Sequence, residues 1–186
     1  YVISSFYDVL NASYKDYLFF DLSGRQDWNS VLASPFRSTG SGFFYPALNT
    51  SYVISQAYKL PQVIDFAKVR LSLSSVGSGS TTPYRTSYNY EIASAIFDSA
   101  YQNPTVLANP DLKPLRTITA EIGTNIRMFK NRIDLDLAYY YGTTTNQILD
   151  RVVDQASGYS RQVINAGTVR NMGFELALNT TNLRIG

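Results

Sequence analysis

The chain has 186 residues, with 16 Lys and Arg against 14 Asp and Glu, a formal charge of +2, and neither Cys nor His. This composition removes disulfides, thiolate nucleophiles and zinc–thiolate sites. It also takes away the commonest general base and metal ligand, and it offers no basic field for nucleic acid. No apolar run of about 18 residues occurs, which excludes a transmembrane helix. The 15 Tyr, 10 Phe and 1 Trp suit strands and rings at a membrane–water boundary.

In chain order, residues 2–14 form the first strand candidate; its alternation breaks around Tyr7–Val9, which we read as a bulge. After a short turn at Lys15-Asp16, residues 17–28 set Leu18, Phe20, Leu22 and Trp28 on one face against Asp21, Ser23, Arg25 and Asp27 on the other. Residues 29–42, rich in Ser, Pro and Gly, read as a loop. Residues 43–54 are a third strand, with Pro46 tolerated near its end, and residues 55–66 hold a short helical turn. In the fourth strand, 67–76, Val69, Leu71 and Leu73 oppose Arg70, Ser72 and Ser74. A long irregular excursion follows over residues 77–115, passing Gly77-Ser-Gly-Ser80, Pro83, Pro104, Pro110 and Pro114.

The clearest signal lies between Arg116 and Leu149. Residues 117–129 alternate Ile118, Ala120, Ile122, Ile126 and Met128 with Thr117, Thr119, Glu121, Asn125 and Arg127. Residues 132–141 then alternate Ile133, Leu135, Leu137, Tyr139 and Tyr141 with Arg132, Asp134, Asp136, Ala138 and Tyr140. Lys130-Asn131 joins them as a hairpin. Residues 150–168 make another excursion, and residues 169–181 are the seventh strand, with Phe174, Leu176 and Leu178 opposite Gly173, Glu175 and Asn179.

These runs are about twice the usual strand length of five or six residues, and a tilted strand of about 9–11 residues crosses a bilayer's hydrocarbon layer. The expected fold is therefore all-β: an antiparallel transmembrane β-barrel segment. Short connections at 15–16 and 130–131 alternate with long ones at 29–42, 77–115 and 150–168. Outer-membrane barrels put short turns at the periplasmic rim and long loops outside the cell, so the long connections are expected to be extracellular. Single-chain bacterial barrels use even strand numbers and must close, because lipid satisfies no free backbone edge. Seven strands, opening at Tyr1 without Met, are therefore expected to be a segment of a larger barrel.

On this reading the lumen-lining residues are Asp21, Arg25, Asp27, Arg70, Glu121, Asn125, Arg127, Asp134, Asp136 and Glu175. The lipid-facing residues are Leu18, Phe20, Leu22, Leu71, Ile122, Ile133, Leu135, Leu137 and Leu176. Trp28, Tyr139 and Tyr141, placed near strand ends on the oily face, read as an interfacial girdle. Asp134 and Asp136 share one strand face, as a carboxylate pair for acid–base work would, but wetted lumen lining is the better account of that spacing. Gly77-Ser-Gly-Ser80 lacks the Gly-Lys-Ser/Thr of a phosphate loop. Loop aromatics Tyr84, Tyr88, Tyr90, Phe97, Tyr101 and Tyr159 offer flat apolar faces with polar tips, suited to stacking on sugars or peptide side chains. No residue is assigned as catalytic or as a metal ligand, and no cofactor is assigned.

An ordered series of motifs adds to this. Asn109-Pro-Asp-Leu-Lys-Pro114, Glu121-Ile-Gly123, Phe129-Lys-Asn-Arg132 and Asp134-Leu-Asp-Leu-Ala-Tyr-Tyr140 come first. Thr145-Asn-Gln-Ile-Leu149, Ser157-Gly-Tyr159, Asn165-Ala-Gly167 and Asn171-Met-Gly-Phe-Glu-Leu176 follow. Together with Leu22-Ser-Gly-Arg-Gln-Asp-Trp28 and Phe43-Phe-Tyr-Pro46, they resemble the SusC/RagA-type TonB-dependent transporters of Bacteroidetes outer membranes over nearly the whole chain. The resemblance implies a barrel of about 22 strands around a plugged lumen and integral residence in the outer membrane, in contact with its lipid. It also implies a SusD-like lipoprotein lid as partner, contact with TonB through an N-terminal part lying outside these residues, and import of a glycan or peptide. The family's plug and its aromatic-ended last strand are likewise expected outside them. Two other readings stand beside it: a soluble or cell-surface β-sandwich that binds carbohydrate, its oily faces forming an inner core, and, ranked last, a barrel-embedded enzyme using the Asp pair.

Overall fold

A computed structural model of the chain describes residues 2–34, 42–79, 82–92 and 100–181. The long strands are β1 (Ile3–Tyr14), β2 (Leu18–Asn29), β3 (Gly42–Val53) and β4 (Ile64–Ser78), with a four-residue helix α1 (Ile54–Ala57) between β3 and β4. Short pieces β5 (Glu91–Ile92), β6 (Tyr101–Gln102) and β7 (Val106–Leu107) come next, followed by β8 (Leu115–Met128) and β9 (Ile133–Thr145). The chain continues through β10 (Ile148–Val152), β11 (Arg161–Asn165) and β12 (Thr168–Thr180). Among the described residues the seven long strands form one antiparallel sheet in the order β1-β2-β3-β4-β8-β9-β12.

Two backbone reversals explain the short connections. Lys15 and Asp16 both take positive φ, 49° and 55°, the left-handed geometry that matches strand twist in tight hairpins, and the Tyr17 N–H donates to the Tyr14 carbonyl at 3.3 Å. Phe129, Lys130 and Asn131 are all left-handed, and the Asn131 N–H is held by the Asp65 carboxylate at 2.9 Å.

Several expectations need correction. There is no bulge at Tyr7–Val9, since the β1–β2 register runs unbroken from Ile3↔Asn29 to Tyr14↔Leu18. The alternation breaks there because Asp8 shares a face with Leu10 while Val9 shares one with Asn11. The register shift of the sheet lies instead between Ile64 and Phe66 of β4. Gly77 and Ser78 are strand rather than loop, held there by pairing that reaches Ser78↔Leu115. Tyr139 sits in the middle of β9, not near its end, because pairing with β8 and β12 carries the strand on through the threonines to Thr145.

The sheet carries no second layer among the described residues. Phe174 is 85% exposed, Leu176 68% and Leu71 54%, a state that an ordinary soluble core does not permit. The fully buried large side chains, Leu32, Leu112 and Val163, instead form a small cluster with Phe43, Val106 and Ile148. This is where the long excursions knit together: β11 pairs antiparallel with β10 and parallel with β7.

Candidate functional site

Directly paired residues in a sheet share a face, so the register sorts every strand residue onto one of two surfaces. One row runs Leu18, Tyr52, Val69, Thr124, Leu137, Leu176, and the next runs Phe20, Thr50, Leu71, Ile122, Tyr139, Phe174. Leu22, Ile133 and Leu135 lie on the same surface, and the Tyr139 and Phe174 rings meet at 4.6 Å. The opposite surface holds Asp21, Arg25 and Asp27 of β2, Arg70 of β4, Glu121, Asn125 and Arg127 of β8, Asp134 and Asp136 of β9 and Glu175 of β12.

On the polar surface the charges pair. Arg70 crosses β8 to reach Asp136 at 3.0 Å and touches Glu121 at 3.3 Å. Between them, Gly123 is what leaves the path open, because an added Cβ would sit 2.6 Å from the Arg70 Nε. Asn125 donates to Asp134 at 2.8 Å and to Asp136 at 3.4 Å, Arg25 meets Asp27 at 2.6 Å, and Arg127 lies 4.8 Å over the Phe66 ring. Asp134 and Asp136 are thus members of a charge network, each with an amide or guanidinium already on it. Among the described residues, no group of three or more His, Cys, Asp or Glu is arranged to hold a metal ion.

At the loop end, a cleft of about 500 Å³ is lined by Tyr84, Arg85, Ser87, Asn89, Tyr90 and Glu91, with Val106 and Val163 among its other walls. Tyr84 and Tyr90 are each 73% exposed. Tyr84 also borders a second cleft, of about 550 Å³, near Val31 and Thr86. Its φ of 63° is an uncommon conformation for a bulky residue, and such conformations cluster at ligand clamps. Arg85 forms a two-pronged pair with Asp150, at 2.7 and 3.1 Å, which ties this loop to β10.

Of the aromatics singled out in the loops, Tyr84 and Tyr90 come together at the cleft. Tyr88, Tyr101 and Tyr159 do not line it, and Phe97 lies outside the described residues. Sequence reading missed Arg85, Asn89 and Glu91. Arg85 and Asp150 stand 65 positions apart with no motif linking them, so only the fold brings them together.

Long antiparallel strands of 12 to 15 residues, bare on both faces, with one face apolar and the other charged and ion-paired, define the wall of a transmembrane β-barrel. The family model for TonB dependent receptor-like β-barrels matches residues 3–186, and the chain belongs to that family. It is accordingly part of an integral outer-membrane protein. It is 32% identical over 187 residues to TonB-dependent receptor P26 of Formosa agariphila, covering 98% of this chain and 18% of that protein. TonB-dependent receptor P3 of the same organism is 27% identical over 184 residues, covering 96% of this chain and 18% of that protein. The fold matches the RagAB peptide transporter at a TM-score of 0.86, with 20% identity over 98% of this chain and 20% of that one. It also matches the siderophore receptor PirA from Pseudomonas aeruginosa at 0.63, with 18% identity over 95% of this chain and 30% of that one. The chain spans about a fifth of the length of the curated relatives it matches.

Proposed function

We propose that this chain is a wall segment of a TonB-dependent active importer that brings bulky nutrients, oligosaccharides or oligopeptides, across the outer membrane. In this reading the charged rows around Arg70 and Asp136 line the lumen, and the rows of Leu71, Ile122 and Leu137 face lipid. The edges of β1 and β12 continue into further strands, and a plug and a TonB-contacting segment are supplied from outside these residues. The long connections are extracellular, and a SusD-like lipoprotein closes over them.

The observation that carries the reading is the two-sided sheet. Its polar face carries laterally paired charges, and at one end it bears a cleft edged by two exposed tyrosines. Rings with polar tips over a cleft of a few hundred Å³ suit either a sugar ring or a peptide side chain. The RagAB likeness, a peptide transporter by its own description, favours the peptide. The segment makes and breaks no bond; its work is to pass a polar solute beside a wet surface.

The test is uptake of labelled oligopeptides and oligosaccharides by cells carrying the full-length receptor, together with solute binding by the purified protein. Tyr84→Ala and Tyr90→Ala are each expected to weaken binding of the imported solute by about 3- to 10-fold, the worth of one ring contact. Unchanged binding in the double variant would remove the cleft from the solute's path. Absence of uptake of either solute class by the wild type would remove the importer reading itself.

A further inference from the structure

The sheet divides at its loop end. β3 pairs with β2 as far as Trp28↔Gly42, yet its pairing with β4 stops at Ala47↔Ser74. β4 meanwhile stays with β8 to Ser78↔Leu115. Residues 42–46 therefore part from the β4 edge, and a cleft of about 310 Å³ opens there, lined among others by Phe43, Phe44, Tyr45, Gly77, Lys113 and Arg116.

The lining holds two cations and no carboxylate. Arg25, Arg70 and Arg85, by contrast, each sit on an acid. Arg116 is held through its Nε, which donates to the Ser75 hydroxyl at 2.9 Å, and no carboxylate among the described residues pairs with it. Its two terminal nitrogens are left to offer a fork of donors. Lys113 is fixed through its backbone: its N–H donates to Asn165 Oδ1 at 2.7 Å and its carbonyl accepts from Asn165 Nδ2 at 2.8 Å.

Tyr45 completes the set. Among the described residues its hydroxyl is the one buried side-chain polar atom without a hydrogen-bond partner. It lies over Gly77, where an added Cβ would be 3.0 Å from the hydroxyl oxygen, and Gly77 is the cross-strand partner of Arg116. The nearby Asp27 carboxylate is engaged by Arg25 and does not line the cleft. A buried donor lacking an acceptor is destabilising, and an oxyanion would relieve it.

We propose that the split between β3 and β4 binds the phosphate group of a phosphorylated ligand. The Arg116 fork takes two phosphate oxygens, Lys113 adds a point charge, and the Tyr45 hydroxyl donates to the anion. The exposed Phe44 ring at the cleft receives the organic body to which the phosphate is attached. A soluble phosphoester and a lipid headgroup present the same group, and the two arms of the test separate them.

The full-length receptor, purified in a detergent free of phosphate, is titrated with glycerol 3-phosphate and with monomeric short-chain phosphatidic acid, followed by phosphorus NMR line broadening. The wild type is expected to bind at least one of them saturably. Saturation by glycerol 3-phosphate assigns a soluble source, and saturation by the lipid alone assigns a headgroup. Arg116→Gln should weaken the binding about tenfold or more, and Tyr45→Phe several-fold. No saturable binding of either probe, or equal affinity in Arg116→Gln, overturns the proposal. Should Arg116→Gln not insert into the membrane, unchanged affinity in Tyr45→Phe overturns it as well.

Discussion

Leu137→Arg is the substitution that most directly tests which face of the wall meets lipid. On the apolar surface of β9 the side chains run Ile133, Leu135, Leu137, Tyr139, Tyr141, so Leu137 is central, with four residues to each side. Nine residues at about 3.4 Å rise, tilted by about 45°, cover about 22 Å, close to the apolar band of about 25 Å expected of such barrels. On the proposed facing Leu137 falls at the midplane, where an arginine toward lipid costs about 2–4 kcal/mol, or about 30- to 900-fold in the folded-to-unfolded ratio. Asp136→Asn, one residue away on the other surface, loses the half-exposed pair with Arg70 and keeps the Arg70–Glu121 contact. Its cost is expected to stay below about 1 kcal/mol. Guanidinium unfolding of the full-length receptor in phospholipid vesicles measures both, and heat-dependent gel mobility of outer-membrane fractions reports insertion. If Leu137→Arg stayed within about 0.5 kcal/mol of wild type, or if Asp136→Asn proved the costlier change, the assignment of faces would be refuted.

Gly123→Ala places a methyl where the Arg70 side chain crosses toward Asp136. The expected loss is about 1 kcal/mol, and the effect should largely vanish in an Arg70→Gln background, as a double-mutant cycle would show. Arg85→Met breaks the two-pronged pair with Asp150 and frees the loop that carries Tyr84 from β10. Limited proteolysis should then cut residues 82–114 faster in the variant, with little change in the stability of the wall; equal cutting rates would mean that the pair does not hold the loop.

Much of the wall was legible from side-chain alternation because each strand is long and its two faces differ in polarity. Glu121 to Arg127 and Asp134 to Asp136 announce their surface residue by residue. The signal fails where a strand's own pattern is mixed, as at Tyr7–Val9, where Asp8 and Val9 each sit on the face that their polarity argues against. Only pairing with Arg25, Gly24 and Ser23 of β2 decides that register. It also fails where polar residues prolong a strand, as in the threonines that end β9 and the glycine and serine that end β4.

The loop end was less legible still. Aromatic residues there signalled contact surfaces, yet nothing in their spacing separated Tyr84 and Tyr90, which edge a cleft, from Tyr88, Tyr101 and Tyr159, which do not line it.

The amino-acid sequence alone determined the class of the fold, the number of long strands and the two surfaces of most of them, because period-two patterning is a local property written into consecutive residues. Tertiary structure alone decided which distant groups meet: Arg70 with Asp136 across β8, Arg85 with Asp150 across the loops, and Arg116, Lys113 and Tyr45 at the split between β3 and β4. Those meetings follow from where strand pairing continues and where it stops. That is a property of two chain segments jointly, and neither segment carries it by itself.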